Sequence, residues 1–476
     1  MKVLLINAPP LIKMGIVGQI YPPLGILYLS SYVRSKTSDF EFKAIDGYQG
    51  SINDTLMKIK NYSPDVLGVS MTTQGASGGY EIIKEVKKNL PKTIVITGGA
   101  HPTVMPEESI NRANADIVVI GEGEETFYEL LNRIKKNQNY EDVSGAVLKA
   151  KGKVKKNKKR KYIKDIDEIP FPDRQLLDIR KYPGYHYKIK KWDTSYISSR
   201  GCPYVCTYCS DPVWKIQKPY LRLRSPENII EEIEMLKTHY GVKEFYDQTD
   251  LFNGNLVWAK KVCKKFIENK VDISWKVQMT VANVDDELSG LMAKAGCWLG
   301  FLGIETGNDE TLKGINKRSN RVTAEKSLTL LKKHGMKTFA LLMAFNVWEE
   351  NGNLKFEDKE DTLRTFKFAE KLIRKKKIDI ISWSLTTPYP GSPLWDIAIR
   401  HDLIPEHLQG NWENWDSSGN FIMKLPGVNE KDWKKIYLFG KWLQVKLLFK
   451  SGTFSWRSLK IYFKKGFGIL KRVLER

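Results

Sequence analysis

Three cysteines crowd into eight positions within Arg200-Gly201-Cys202-Pro203-Tyr204-Val205-Cys206-Thr207-Tyr208-Cys209-Ser210. This spacing lets three thiols wrap one corner of a cubane from a single loop, and thiolates are the usual ligands of iron–sulfur clusters. Cys202, Cys206 and Cys209 are therefore the candidate ligands of a [4Fe–4S] cluster. Three ligands leave one iron without a local protein partner, and an open metal position can bind a substrate directly, as an open zinc site does. Zinc itself is the rival metal, but its sites pair a CxxC with a second, distant Cys or His pair. No such pair is evident. The other two of the five cysteines, Cys263 in AKKVCKKF and Cys297 in MAKAGCW, lie in helix-like stretches and read as buried structural thiols.

The elements that must position the loop alternate between strand and helix. Apolar runs over 194–199, 244–247, 273–279, 299–305, 338–344 and 380–386 read as strands with helical patterns between them. Six such units suggest an open or partial barrel, with the cysteine loop directly after its first strand. One helix is fully punctuated, with Ser225 as N-cap, Pro226 in the first turn and Gly241 past the end. Upstream, strands are expected over 3–7, 42–46, 65–70, 93–97 and 116–120, and helices over 51–61, 79–90 and 124–135. That alternation argues for a parallel sheet covered on both faces. Such sheets bind ligands beyond the C-terminal ends of their strands. The segments there, 8–18, 71–79 and 98–105, hold glycines and small polar residues that let a backbone approach a large ligand. The expected organisation is α/β: a Rossmann-like domain over 1–145, a basic linker and connector over 146–192, a partial (β/α)6 barrel over 193–395, and a mostly helical, basic region over 396–476.

Lys and Arg number 77 against 55 Asp and Glu, a formal net charge of +22. That excess favours an anionic partner and says nothing about the fold. The run 151–164 carries nine Lys or Arg and no acid. It reads as a solvated hairpin or linker, without the repeated aromatic interleaving of a single-strand-binding surface, so no nucleic-acid partner is expected. The last 36 residues carry ten Lys or Arg and one acid, interleaved with aromatic and aliphatic residues. This pattern fits a helix packed on the barrel with its basic face in water, and it also fits an interfacial segment on an anionic membrane. No apolar run reaches the roughly 18 residues of a spanning helix. The N-terminus MKVLLINAPPLIK resembles a buried first strand more than a signal peptide. An odd, crowded cysteine set argues against a secreted disulfide framework, so a cytoplasmic location is expected, with peripheral contact at the inner membrane face as a variant.

The cysteine loop, with aromatic Tyr208 just before the third cysteine, resembles the signature of the radical S-adenosylmethionine superfamily. The resemblance implies a [4Fe–4S] cluster whose open iron is chelated by the amino and carboxylate groups of S-adenosylmethionine. Reduction then cleaves the sulfonium, and the resulting radical takes hydrogen from an unactivated C–H bond. The cofactor performs the hard step while the protein positions and shields. GCWLGFLGIETGNDETLKGINK (296–317) resembles the family's fourth-strand segment and makes Glu305 a candidate for the ribose hydroxyls. Unaided, Glu305 reads equally as a helix-start or ion-pair residue. FYDQTDLFN (245–253) resembles the second-strand segment, which offers Asp247 or Asp250; on residue type alone they are loop carboxylates that cap the next helix. LTTPYPGSPLW (385–395) resembles the segment that ends the barrel in the cobalamin-associated branch.

ITGGAHPTVMPEE (96–108) and DIVVIGEGEETFYELL (116–131) resemble the cobalamin-binding domain that precedes such barrels. By resemblance, cobalamin is a cofactor, with Thr72, Thr73, Gly98 and Gly99 as its candidate contacts. Three departures stand out. The Asp-x-His-x-x-Gly loop that ligates cobalt in many such domains is replaced by residues 8–15, which lack histidine, and His101 reads as a loop residue. Thr280 stands where relatives place Arg, and LLMAFNVWEENGN (341–353) replaces a Gly-x-Pro turn. The implied activity is cobalamin-dependent radical methyl transfer. The alternative is radical cyclisation, carbon–carbon bond formation or rearrangement, including with a domain that binds no cobalamin. A non-catalytic iron–sulfur or nucleic-acid-binding protein is a third reading, against which the two large β/α domains argue. The implied partners are an external electron donor such as flavodoxin or ferredoxin and a small-molecule or lipid-like substrate.

Overall fold

Val3, Leu4, Leu5 and Ile6 are all buried in strand β1 (Lys2–Asn7), the continuous apolar run of a strand covered on both faces. The computed structural model describes residues 1–11, 20–185, 187–415, 417 and 420–450. The chain divides into two units. The first comprises Met1–Gly184, Ser210–Arg222 and Gln409–Trp415; the second comprises Tyr185–Cys209, Leu223–Leu408 and Asp416–Arg476.

In the first unit β1 pairs in parallel with both β2 (Glu41–Asp46) and β3 (Val66–Ser70). β4 (Ile94–Gly98) and β5 (Ile117–Val119) continue the sheet in the order β2-β1-β3-β4-β5. The strand order reverses at β1 and β3, which makes their C-terminal ends the switch point where doubly wound sheets bind ligands. All five expected strands are present. A helix that periodicity did not indicate, Leu24–Lys36, precedes β2; it buries residues around most of its circumference and has no polar side-chain cap. The expected connector is folded into this unit through Gly184. β6 (Ala146–Ala150) and β7 (Lys153–Lys156) form an antiparallel hairpin on the sheet edge. Its turn uses positive φ at Lys151 (49°) and Gly152 (78°), the geometry that matches strand twist. Exposed Lys153, Lys155 and Lys156 guard that edge against further pairing. Further on, Tyr182 Oη donates to buried Asp46 Oδ2 at 3.0 Å.

The second unit winds six parallel strands in chain order: β8 (Asp193–Tyr196), β9 (Glu244–Asp247), β10 (Ser274–Thr280), β11 (Cys297–Glu305), β12 (Lys337–Ala344) and β13 (Ile380–Leu385). Helices return the chain between them, as in a partial barrel. Pro226–Tyr240 is capped as its sequence indicates: Ser225 accepts from Asn228 N, and Gly241 adopts φ 70°. At the N-terminal edge, fully buried Lys276 donates to Asp193 Oδ2 at 2.6 Å and to Glu244 Oε1 at 2.9 Å. Backbone N–H groups of Ile189 and Lys190 complete Glu244 at 2.8 and 2.6 Å. From this edge Tyr185 and Tyr187 reach into the barrel, with ring centroids 5.3 Å from Phe301 and 5.8 Å from Phe339 respectively. The rings of Tyr185 and Tyr187 thereby pack against the barrel strands at that end.

The helix Glu430–Lys450 packs on this barrel. Gln444 Nε2 donates to Ile381 O at 3.3 Å, and Lys446 pairs with Glu370 at 2.7 Å. The start of the basic tail is thus a packed helix; the tail beyond Lys450 lies outside the described residues. No helix among the described residues is long and apolar enough to cross a membrane.

Lys276→Met strands two buried carboxylates and should cost about 3–5 kcal/mol, read from the urea midpoint. The triple variant Asp193→Asn, Glu244→Gln, Lys276→Met should recover much of that loss. A single variant as stable as wild type would contradict the assigned pairing.

Candidate active site

The candidate residues of the second unit gather at the C-terminal edge of the barrel strands. Beyond β8 a short strand, Ser199–Gly201, leads into the cysteine loop through Gly201 at φ 85°. The loop is pinned by its neighbours. Thr207 N donates to Ile315 O at 3.0 Å and Leu394 N to Thr207 O at 2.8 Å. Asn316 Nδ2 donates to Val205 O at 3.0 Å, and Asn283 Nδ2 to Tyr204 Oη at 2.9 Å. Leu394 belongs to the expected barrel-ending segment, so that segment grips the loop directly. Cys202, Cys206 and Cys209 are all partly exposed and form no disulfide. Cys263 and Cys297 are buried, and burial pushes both thiols well above their ordinary pKa, which keeps them protonated.

Glu305 ends β11 at φ 63°, in the left-handed region, where a register shift breaks the pairing with β12. Its Oε1 accepts from Tyr208 Oη at 2.9 Å and from Lys317 Nζ at 2.7 Å. The acidic candidate and the loop tyrosine are therefore in contact. Burial first, then the Glu305 charge, push the Tyr208 phenol well above its ordinary pKa, so it stays a donor. Burial opposes the charge on Lys317, but Glu305 and the Cys206 sulfur outweigh it and hold the ammonium above its ordinary value. Sequence reasoning missed Lys317. Its signal was only a basic residue twelve positions beyond Glu305, past a tight turn.

Asp247 and Asp250 face the loop backbone. Asp247 Oδ1 accepts from Ser198 N at 3.1 Å and Thr249 N at 3.2 Å, and the residue is fully buried. Asp250 Oδ2 accepts from Gly201 N at 3.0 Å. Neither caps the following helix, whose N-cap is Asn255. Thr280 turns its hydroxyl to Ala282 N at 3.2 Å. In place of a Gly-x-Pro turn, Phe345 adopts φ 58° and leads into the hairpin Val347–Glu350 and Asn353–Phe356. Buried Glu357 closes its base, accepting from Asn346 Nδ2 at 2.8 Å.

In the first unit Thr72, Gly98 and Gly99 line the C-terminal ends of β3 and β4. Thr72 is exposed and its Oγ1 accepts from Gly75 N at 3.3 Å. Gly98 is partly open, and a Cβ there would come no closer than 3.6 Å to Val119 O. Gly99 needs its φ of 97° and lies so close to Met71 O that a Cβ would sit at 2.8 Å. Thr73 departs from expectation: it is buried, and its Oγ1 lies 3.3 Å from His101 Nδ1. His101 is not a loop residue but part of the helix Ala100–Val104, fully buried. Its Nε2 lies 2.9 Å from Tyr80 Oη, so both ring nitrogens have partners. Residues 12–19 of the loop after β1 lie outside the described residues.

Among the described residues, no three His, Cys, Asp or Glu side chains gather as ligands of a single ion would. A cubane asks for less, because each thiolate meets a different iron. Three accessible thiols on a pinned loop beside an ammonium fit that cluster. The small residues at the switch point fit the close approach of a large planar group such as cobalamin, and neither His101 nitrogen is available to its metal.

Residues 12–131 match the family model described as the B12 binding domain, and residues 196–352 match the Radical SAM superfamily. An uncharacterised methyltransferase of Pyrococcus horikoshii is 32% identical across 92% of this chain and 90% of its own length. The anaerobic magnesium-protoporphyrin IX monomethyl ester cyclase of Rubrivivax gelatinosus is 26% identical over 79% of this chain and 66% of its own. Among solved structures, TsrM from Kitasatospora setae, a radical S-adenosylmethionine methyltransferase with cobalamin and a [4Fe–4S] cluster bound, superposes with TM-score 0.66 at 18% identity, covering 85% of this chain and 75% of that one. OxsB, with aqua-cobalamin and S-adenosylmethionine bound, gives TM-score 0.67 at 20% identity, covering 84% and 61%. The chain belongs to the radical S-adenosylmethionine enzymes that carry an N-terminal cobalamin-binding domain.

Burial raises Asp247 to about 7, against 3.8 for a free carboxyl. The folded state therefore binds more protons than the unfolded one between those values, and its stability falls as pH rises through that window. Asp247→Asn removes the ionisation. Its urea midpoint relative to wild type should rise from pH 5 to pH 8; a difference independent of pH would contradict the buried carboxyl.

Proposed function

We propose that this chain transfers a methyl group to an unactivated carbon of a small or lipid-like molecule. The observation that carries the reading is the relative from Pyrococcus horikoshii, named a methyltransferase and matched along nearly the whole of both chains. Cys202, Cys206 and Cys209 would hold the [4Fe–4S] cluster, Glu305 and Tyr208 would face S-adenosylmethionine, and Thr72, Gly98 and Gly99 would line cobalamin. When bound, these groups supply the electron that splits the sulfonium and the carrier that delivers the methyl group. The protein's part is positional. Asp247 and Asp250 hold the backbone ahead of Cys202, and Tyr208 keeps its phenol proton while donating a hydrogen bond to Glu305. The electron would come from an external donor such as flavodoxin or ferredoxin. We also propose that the basic tail contacts an anionic membrane face, on the strength of its ten Lys or Arg among 36 residues.

Cyclisation is the second reading, favoured by the match to the cyclase of Rubrivivax gelatinosus. Anaerobic turnover separates the two. Methyl transfer should add one CH2 per product and release S-adenosylhomocysteine beside 5′-deoxyadenosine, whereas loss of two hydrogens without S-adenosylhomocysteine would support cyclisation. Each single Cys→Ala variant at 202, 206 or 209 should lose the brown cluster absorbance and bound iron. A full cluster in any of them would mean the ligands are wrongly assigned.

A further inference from the structure

Lys317 meets the cysteine loop from the turn after the helix Asp309–Gly314. That turn is stitched to the loop by Thr207 N to Ile315 O and by Asn316 Nδ2 to Val205 O, both at 3.0 Å. The ammonium lies 2.7 Å from Glu305 Oε1 and 3.2 Å from Tyr208 Oη. The two charged side chains are only 12% and 10% exposed. Gly303 makes the arrangement possible, since a Cβ there would sit 2.4 Å from Glu305 Oε1 and 2.7 Å from Lys317 Nζ. Neighbouring Arg318 lies over the Tyr204 ring at 6.0 Å, so two consecutive cations face the loop's two tyrosines.

A carboxylate in this position poses a problem. A cluster bound by three thiolates is already negative, and reduction adds another electron. A poorly screened carboxylate nearby opposes that electron, because Coulomb energy grows as the effective dielectric falls. An ammonium in contact with the carboxylate cancels most of its field at a distance. We propose that Lys317 is a charge-compensating positioning residue: it offsets Glu305 beside the cluster, keeps the cluster reducible, and holds Glu305 in its left-handed conformation. The inference rests on the reading that Cys202, Cys206 and Cys209 hold the cluster. The electron is supplied by the external low-potential one-electron donor, and no bond forms or breaks in this step.

The test is a redox titration of the reconstituted full-length chain without S-adenosylmethionine, following the reduced cluster by electron paramagnetic resonance. Lys317→Met leaves Glu305 unbalanced and should lower the reduced-to-oxidised ratio at fixed potential about tenfold, a fall of about 59 mV for one electron. Glu305→Gln leaves Lys317 unbalanced and should shift the ratio the other way. Lys317→Arg should stay near wild type. Opposite shifts would not follow from a merely structural role, and iron and sulfide content checks that each variant carries its cluster. If Lys317→Met loses the cluster, Glu305→Gln and Lys317→Arg still decide by the sign and size of their shifts. Shifts in the same direction, or none, overturn the inference while the cluster assignment stands. A wild-type chain that takes up no cluster overturns the assignment beneath it.

Discussion

Three cysteines on one short loop can act together only if the loop is held in place, and the second unit pins that loop from several strand ends. The restraints come from successive strand ends. Carboxylates at and just beyond the end of β9 take the backbone N–H groups of Ser198 and Gly201, Asn283 after β10 holds Tyr204, and the turn after the helix that follows β11 holds Val205 and Thr207. Leu394, after β13, holds Thr207 from the other side. This convergence follows from winding six parallel strands in chain order, which brings every C-terminal end to one edge. The opposite edge is closed by the buried Lys276 pairs and by the rings of Tyr185 and Tyr187.

The first unit solves a different problem with similar means. Its strand order reverses at β1 and β3, and the residues at the adjacent strand ends are small or polar. His101 shows how the interior is organised behind that face. It joins Thr73 and Tyr80 through its two nitrogens, and the Trp412 ring meets its edge at a centroid distance of 4.9 Å. A histidine so enclosed supports the packing of the unit and is not presented to a ligand.

The cysteine loop, the eleven parallel strands β1–β5 and β8–β13, and the caps of Pro226–Tyr240 were legible because their signals are local: thiol spacing, apolar runs and punctuation. Asp247 and Asp250 were legible as carboxylates near the site, but their partners were not, since those depend on where a loop some fifty residues earlier is folded. Thr73 follows exposed Thr72 in sequence yet points inward, a difference fixed by the short helical turn Thr73–Gly75. Leu24–Lys36 escaped because a helix buried around most of its surface has weak periodicity. The basic run was legible as a hairpin or linker, but charge marks an exposed edge without saying which sheet the edge belongs to. Lys317 carried no signal beyond its type; its meaning comes from the space left by Gly303 and from the stitched turn before it.

With Cys202, Cys206 and Cys209 as the proposed ligands, one iron of the cluster would stay open for S-adenosylmethionine. The most direct measurement is electron–nuclear double resonance on the reduced, reconstituted chain with S-adenosylmethionine carrying a nitrogen label at its amino group. Direct chelation predicts a resolved hyperfine coupling between the label and the cluster, absent with unlabelled cofactor. A cluster signal that is identical with and without the label would contradict the account.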